Sequence, residues 1–384
     1  MNYLTRLALF IVLVFALVGG FNFLVDPYGF YWSPALKGFN QQKTQADERV
    51  REVTPYRAQA LQPDTVLIGN SRVQLGIAAE SEVLGGRHPY NLSLPGAGLA
   101  ETLRHGLNQA RHNQNLTTMI IALDYRYFLH NYSQSPGPWP QQDLIEAITL
   151  RPESITERLK RIYPAVFSLD TLFDSVRTIA QQGGIYNNIT RLGSNTGGYY
   201  LDAIKAEGKK RFYKHQFDGL YMRFGRQHLT YQAGGQVYSI ALLTSFLEEM
   251  KTAHPKVALH FFINPYHQSY WQVIYKSGHW GSYLQWKRDL ARVGDRYPEY
   301  AIYDFSLPSE QTLEPLNYAQ DRQLMTWYWE PAHYRPKLGD EVLKAILDKP
   351  SSINTADWPI RLQQHTIERA IELSIDGLAQ PEIR

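Results

Sequence analysis

Three side chains in this sequence have the types and spacing to attack an ester together. A serine follows a short apolar run in Asp64-Thr-Val-Leu-Ile-Gly-Asn-Ser71, and a carboxylate stands three residues before a histidine in Glu330-Pro-Ala-His333. Serine is a weak nucleophile at neutral pH; it needs a base to take its proton, and the base needs an acid to hold its ring. The spacing predicts that Glu330 and His333 share one face of a short turn or helix. One ring nitrogen would then meet the carboxylate and the other would face Ser71. Backbone amides at Ser71 and at Gly96 or Gly98, in Ser93-Leu-Pro-Gly-Ala-Gly98, are candidate oxyanion donors. The side chains of Asn91 and Asn264 are substitutes for that role. Arg72, Asp124 and His267 follow predicted strand ends and are pocket candidates. Arg72 reads equally as an anion ligand or as half of an ion pair, and His267 as a hydrogen-bonded loop histidine. Asp304 is a second candidate for the orienting acid.

These residues need a scaffold that brings distant segments to one edge. Thr65–Ile68 reads as a buried strand with Ser71 just past its carboxyl end, where ligands bind in open parallel sheets. Tyr90–Leu92, Thr117–Leu123, Val257–Ile263 and Ala301–Asp304 are further short apolar runs. Helical spacing separates them, with Leu99, Leu103, Leu107 and Ala110 on one face, and Leu242, Leu243, Phe246, Leu247 and Met250 on another. Strands alternating with helices predict an α/β fold, a three-layer sandwich around a parallel sheet. Residues 64–348 form this domain in the sequence reading, with an insertion over about 128–236 that holds Pro136-Gly-Pro-Trp-Pro140, Gly-Gly pairs and many tyrosines. Helices are expected there near Ser154–Ile162 and Leu169–Gln181. A loop of that length without structure is improbable, so the insertion is expected to cap the carboxyl edge of the sheet. The basic run Lys205–Lys214 reads as a solvated face. Residues 349–384 read as a helical tail, with an amphipathic helix around Ile360–Ile375.

The amino-terminal end has a different character. Leu7–Val25 is apolar except for Asn22, and Arg6 precedes it. Its length is close to the roughly 20 residues of a spanning helix, and it exceeds the usual core of a cleaved signal. Residues 1–26 are therefore expected to be a single-pass signal anchor. The positive flank puts the amino terminus inside and the main domain outside the cytoplasm. Asp26-Pro-Tyr-Gly29 is expected to break the helix at the membrane surface, and residues 27–63 to form a strap, with one helix over Gln45–Leu61.

Composition narrows the function classes. The chain has 384 residues, 20% charged and 44% hydrophobic, with net charge +3, which suits a globular protein and gives no case for nucleic acid as a partner. The absence of cysteine rules out disulfides, thiolate metal sites and a cysteine nucleophile. No metal-ligand spacing and no phosphate loop occur, so no cofactor is expected. Aromatic residues reach 13%, a content suited to stacking on sugar rings as well as to core packing.

The ordered set of motifs resembles the SGNH (GDSL-like) hydrolase superfamily. Gly69-Asn-Ser71 is similar to its first block, Gly96 or Gly98 to the glycine of its second, and Glu330-Pro-Ala-His333 to its terminal Asp-x-x-His. The anchor, Asp-Pro-Tyr-Gly, Gly-Asn-Ser-Arg and His-Tyr-Arg-Pro resemble a membrane-anchored bacterial branch linked with acylation of envelope polysaccharide. The pattern departs from the superfamily in two places: Glu330 stands where Asp is usual, and Asp124 stands roughly where a Gly-x-Asn block would be. The resemblance implies a flavodoxin-like sheet and a Ser71–His333–Glu330 triad. It further implies an exported domain on the bacterial inner membrane, facing the periplasm, acting as a serine esterase or O-acyltransferase on acyl esters of an envelope glycan. A membrane-bound O-acyltransferase or polysaccharide synthase is the implied protein partner. The other reading is a non-catalytic glycan-binding or assembly factor beside such a synthase.

Overall fold

A computed structural model describes residues 2–130, 139–151, 154–225, 229–232, 237–349 and 357–379. The first helix, α1 (Tyr3–Val25), is the one helix among these residues long and apolar enough to cross a membrane. Its end is closed by the strap. Asp26 turns left-handed, and its carboxylate accepts the N–H groups of Phe30, Tyr31 and Trp32. The last-turn carbonyls of a helix lack intrahelical donors. Here Ser33 Oγ donates to Phe23, Asn40 Nδ2 to Leu24 and Lys43 Nζ to Val25. The expected strap helix is a short 3-10 turn, Ala46–Arg49, followed by α2 (Val50–Leu61).

The sheet begins with β1 (Thr65–Ile68), wholly buried, and turns at Asn70 into the short helix α3 (Ser71–Gly76). Then come β2 (Pro89–Asn91), α4 (Leu99–His112) and β3 (Thr118–Leu123). Among the described residues of the inserted region, five α-helices follow: α5 (Gln141–Ala147), α6 (Ile155–Phe167), α7 (Leu169–Ala180), α8 (Gly198–Glu207) and α9 (Lys209–Gly225). Regular alternation resumes with α10 (Tyr238–Ala253), β4 (Ala258–Ile263), α11 (Gln268–Lys276), α12 (Trp280–Arg296) and β5 (Ala301–Asp304). Part of the proline-rich segment, residues 136–138, and part of the tail, residues 350–356 and 380–384, lie outside the described residues.

Strand order is β2-β1-β3-β4-β5, all parallel. The order reverses between β1 and β3, and ligands bind outside the carboxyl ends of strands at such a switch point. Ser71 stands there. The last segments are two very short strands, β6 (Tyr328–Glu330) and β7 (His333–Tyr334), then α13 (Pro336–Ile346). Within the tail, β8 (Ile360–Arg361) adds a sixth, antiparallel strand beside β5, and α14 (Ile367–Ala379) starts seven residues later than expected. The tail is thus built into the sheet: Trp358 Nε1 donates to Phe305 at 3.0 Å.

Two tertiary contacts bring the carboxyl-terminal segments against α3. A Cβ on Gly339 would stand 1.8 Å from the carbonyl oxygen of Gly76, and one on Gly76 would meet the Tyr334 ring at 2.2 Å. Only glycines let α13 and β7 approach the Ser71 helix this closely. One local expectation fails: Lys209, in the basic run read as solvated, is buried at the start of α9.

Candidate active site

The turn after β1 is fixed from below. Asn70 caps α3, its side-chain oxygen accepting Arg72 N–H at 2.9 Å, and its Nδ2 donates to Asp124 Oδ2 at 2.8 Å. Arg72 forms a buried ion pair with the same carboxylate and lies over the rings of Tyr266 and Tyr270. The Asp124 charge raises the Arg72 pKa above its ordinary value, against the opposing effect of burial. These two pocket candidates are therefore the floor of the Ser71 turn; neither lines the cleft. Asp124 is compensated by Arg72 and is not a bare charge facing a developing oxyanion.

His333 reaches Ser71 from the β6–β7 ribbon. Ser71 Oγ and His333 Nε2 are 2.8 Å apart, and His333 Nδ1 bonds Glu330 Oε1. A carboxylate only accepts hydrogen bonds, so Nδ1 carries the proton and the Nε2 lone pair accepts from Ser71 O–H. Glu330 is fully buried, and its other oxygen accepts Ala332 N–H at 2.8 Å. The expected short turn is present at Pro331-Ala332, as the turn of a hairpin in which Glu330 and His333 are direct antiparallel partners. Opposed residues in such a pair project to the same face with Cβ atoms about 5 Å apart, which accommodates the longer Glu side chain. Tyr200 O–H lies 3.3 Å from His333 Nδ1, with its ring stacked on Trp329. Burial and the neighbouring Glu330 push the Tyr200 pKa well up, so it is a neutral phenol.

Several predicted site residues do other work. Asn91 is buried; its Nδ2 donates to the carbonyls of Val73 and Ile77, so it splints α3 and is no oxyanion donor. Asn264 donates to Leu123 and accepts from Tyr334 O–H, so it anchors β7 from the end of β4 and is likewise spent. His267 does not line the cleft. It caps α11 through Nδ1, donates from Nε2 to Glu314 at 2.7 Å, and packs edge-on against Tyr328 behind the ribbon. Asp304 forms a fully buried ion pair with Lys287 at 2.7 Å and is not available to His333. Burial pushes the Asp304 pKa up and the Lys287 pKa down. Gly96, at φ +71°, and Gly98 belong to the loop after β2. Of that loop, Pro95 lines the cleft and the two glycines do not.

The cleft in front of Ser71 has a volume of about 580 Å³. The strap, read as a connector, forms one wall with residues 47–52, including Arg49 and Arg51. The inserted region supplies Asn187, Asn195, Tyr199 and Tyr200. Two carboxamides escaped the sequence reading. Gln74 lies one helical turn after Ser71, lines the cleft and is buried, with no partner for its Nε2 among the described residues. Asn195 uses its side-chain oxygen to accept Gly197 N–H at 2.9 Å. Its Nδ2 is a second amide donor on a cleft-lining residue. Gln74 had a signal in its i,i+3 spacing from Ser71; Asn195 had none. Among the described residues, no group of acidic and histidine side chains converges as a metal site.

Known protein families and curated proteins provide no sequence match to this chain.

Proposed function

We propose that the protein is a membrane-anchored serine esterase or O-acyltransferase of SGNH type, acting on acyl esters of an envelope glycan outside the cytoplasm. The observation that carries this reading is the Ser71–His333–Glu330 chain of contacts opening on a polar and aromatic cleft. Ser71 Oγ attacks the ester carbonyl carbon while its proton passes to His333 Nε2. Glu330 stabilises the resulting imidazolium. We assign the oxyanion to the Ser71 amide, with the cleft-lining carboxamides Gln74 and Asn195 as its side-chain donors. The tetrahedral adduct collapses, the C–O bond to the alcohol breaks, and His333 returns the proton to that alcohol. Water or a sugar hydroxyl then gives its proton to His333 and attacks the acyl-serine; the acyl–Oγ bond breaks, His333 returns the proton to Ser71 Oγ, and the free acid or the new sugar ester leaves. Half-exposed Tyr199 offers a face to a sugar ring.

A serine-reactive fluorophosphonate tests this on the full-length protein. Labelling of the wild type that disappears in Ser71→Ala, together with altered acyl content of envelope glycans in cells carrying that variant, is the expected result. No labelling, with unchanged glycan acylation in Ser71→Ala, overturns it in favour of a non-catalytic assembly factor.

A further inference from the structure

The α6–α7 hairpin carries an apolar surface that the catalytic reading leaves unexplained. On α6, Ile155, Leu159, Tyr163 and Phe167 recur every four residues and are 80%, 60%, 53% and 38% exposed. On α7, Leu169, Phe173 and Val176 are 66%, 69% and 54% exposed. Such stripes on two successive helices are costly in water, since removing apolar surface from water is favourable in proportion to its area.

The hairpin is bound to the membrane-spanning candidate. Phe167 packs beside Phe15, and a Cβ on Gly19 would meet its ring at 2.4 Å. Asn22, the polar residue of the apolar run, is buried. Its Nδ2 donates to Val166 O at 2.8 Å, and its oxygen accepts Ser175 O–H at 2.9 Å. An unpaired carboxamide in hydrocarbon has no water to bond, and the hairpin satisfies this one. With about 1.5 Å per helical residue, Phe15 lies roughly 15 Å from the Val25 end, near the middle of a ~30 Å hydrocarbon core. Residues 166–168 meet Gly19 and Asn22, which lie roughly 9 Å and 5 Å from that end, within the half of the core nearer the domain. Farther along α7, Asp174 accepts Tyr28 O–H at 2.6 Å, beyond the end of α1.

We propose that the α6–α7 hairpin is immersed in the lipid leaflet on the domain side of the membrane, its two apolar stripes in contact with acyl chains. The occupant is lipid because the stripes continue the apolar surface of α1. This rests on α1 being a membrane span, so the experiment tests the two separately.

The chain has no cysteine, so single cysteines can be placed at Leu159→Cys and Phe173→Cys, with Val12→Cys in α1 and exposed Lys256→Cys as references. All four positions are exposed, so packing is preserved. Each full-length variant is labelled with bimane, reconstituted in phospholipid nanodiscs, and quenched with doxyl-labelled lipid or aqueous iodide. Positions 159 and 173 should behave as position 12 does, quenched by doxyl lipid with loss of iodide quenching, while position 256 does the reverse. Iodide quenching at 159 and 173 with lipid quenching kept at 12 overturns the hairpin proposal alone. Iodide quenching at 12 as well overturns the anchor. Protection of 159 and 173 from aqueous maleimide in native membranes, combined with iodide access in nanodiscs, assigns the face to a protein partner and also overturns the proposal.

Discussion

Glu330 and His333 are direct cross-strand partners in a ribbon only a few residues long, and their side chains join on the face that meets Ser71. The register of this pair, more than the identity of the acid, decides whether the histidine is oriented. Glu330→Gln keeps the shape but can present its amide to Nδ1, favouring the wrong tautomer; the acylation rate should fall about 10³–10⁴-fold. Glu330→Asp withdraws the carboxylate by one methylene, and a misplacement near 1 Å costs about 10²-fold. Fluorophosphonate labelling rates on the two variants give this ranking. Equal rates for Asp and Glu would show that the ribbon does not set the geometry.

Gln74 separates a catalytic donor from a packing residue. Its Nε2 is buried without a partner, so Gln74→Leu removes an unsatisfied group and should leave the melting temperature unchanged or raised. If Nε2 donates to the oxyanion, the same variant loses about 10²–10³ in kcat on a chromogenic acetyl ester, with little change in KM. A lowered melting temperature with unchanged kcat would make Gln74 structural.

Arg72 and Asp124 should behave as a unit. Arg72→Met leaves the Asp124 carboxylate buried beside Asn70 without its cation, a loss of roughly 3–5 kcal/mol. Replacing both partners by apolar residues should recover much of that stability, as buried pairs often permit. Thermal melts of the single and double variants measure the coupling; additive losses would contradict it.

Acid should weaken the fold through histidines remote from Ser71. Burial lowers the pKa values of His105, His130 and His260 below the ordinary 6.5. Between those lowered values and about 6.5 the unfolded chain binds more protons than the folded one, so stability falls as pH is lowered through that window. Above about 6.5 these groups contribute no slope. Melting temperatures from pH 8 to 5 should show the decline; because burial lowers His254 and His279 as well, replacing the three histidines by Gln should reduce it in part.

The strands were legible because Val66–Ile68, Met119–Leu123 and Leu259–Ile263 are near-continuous apolar runs, the mark of strands buried on both faces. The order of Ser71 and His333 along such a sheet was legible for the same reason. β6 and β7 were not, since strands of three and two residues carry no readable period. Helices α8 and α9 were hidden among glycines and aromatics that pack by tertiary contact. Asn91 and Asn264 misled, whereas His267 is the hydrogen-bonded loop histidine it was read as; a polar side chain at a strand end looks the same whether it faces a ligand or ties two segments together. Only their partners, Val73, Tyr334 and Glu314, distinguish the cases.

The closed end of α1 bears on how far the serine can travel. A free strap over residues 27–63 would behave as a tether with a reach of roughly 30–35 Å, and Ser71 would sample a broad shell above the bilayer. With Ser33, Asn40 and Lys43 seated on the final carbonyls of α1, the domain has no such swing. With α1 as a membrane span, Ser71 would stand at one height above the bilayer, and the searching would fall to the other reactant. On the proposed function, a long glycan would bring its hydroxyls to that height by its own flexibility, whereas an acyl donor fixed in the membrane would have to present its acyl group at that level.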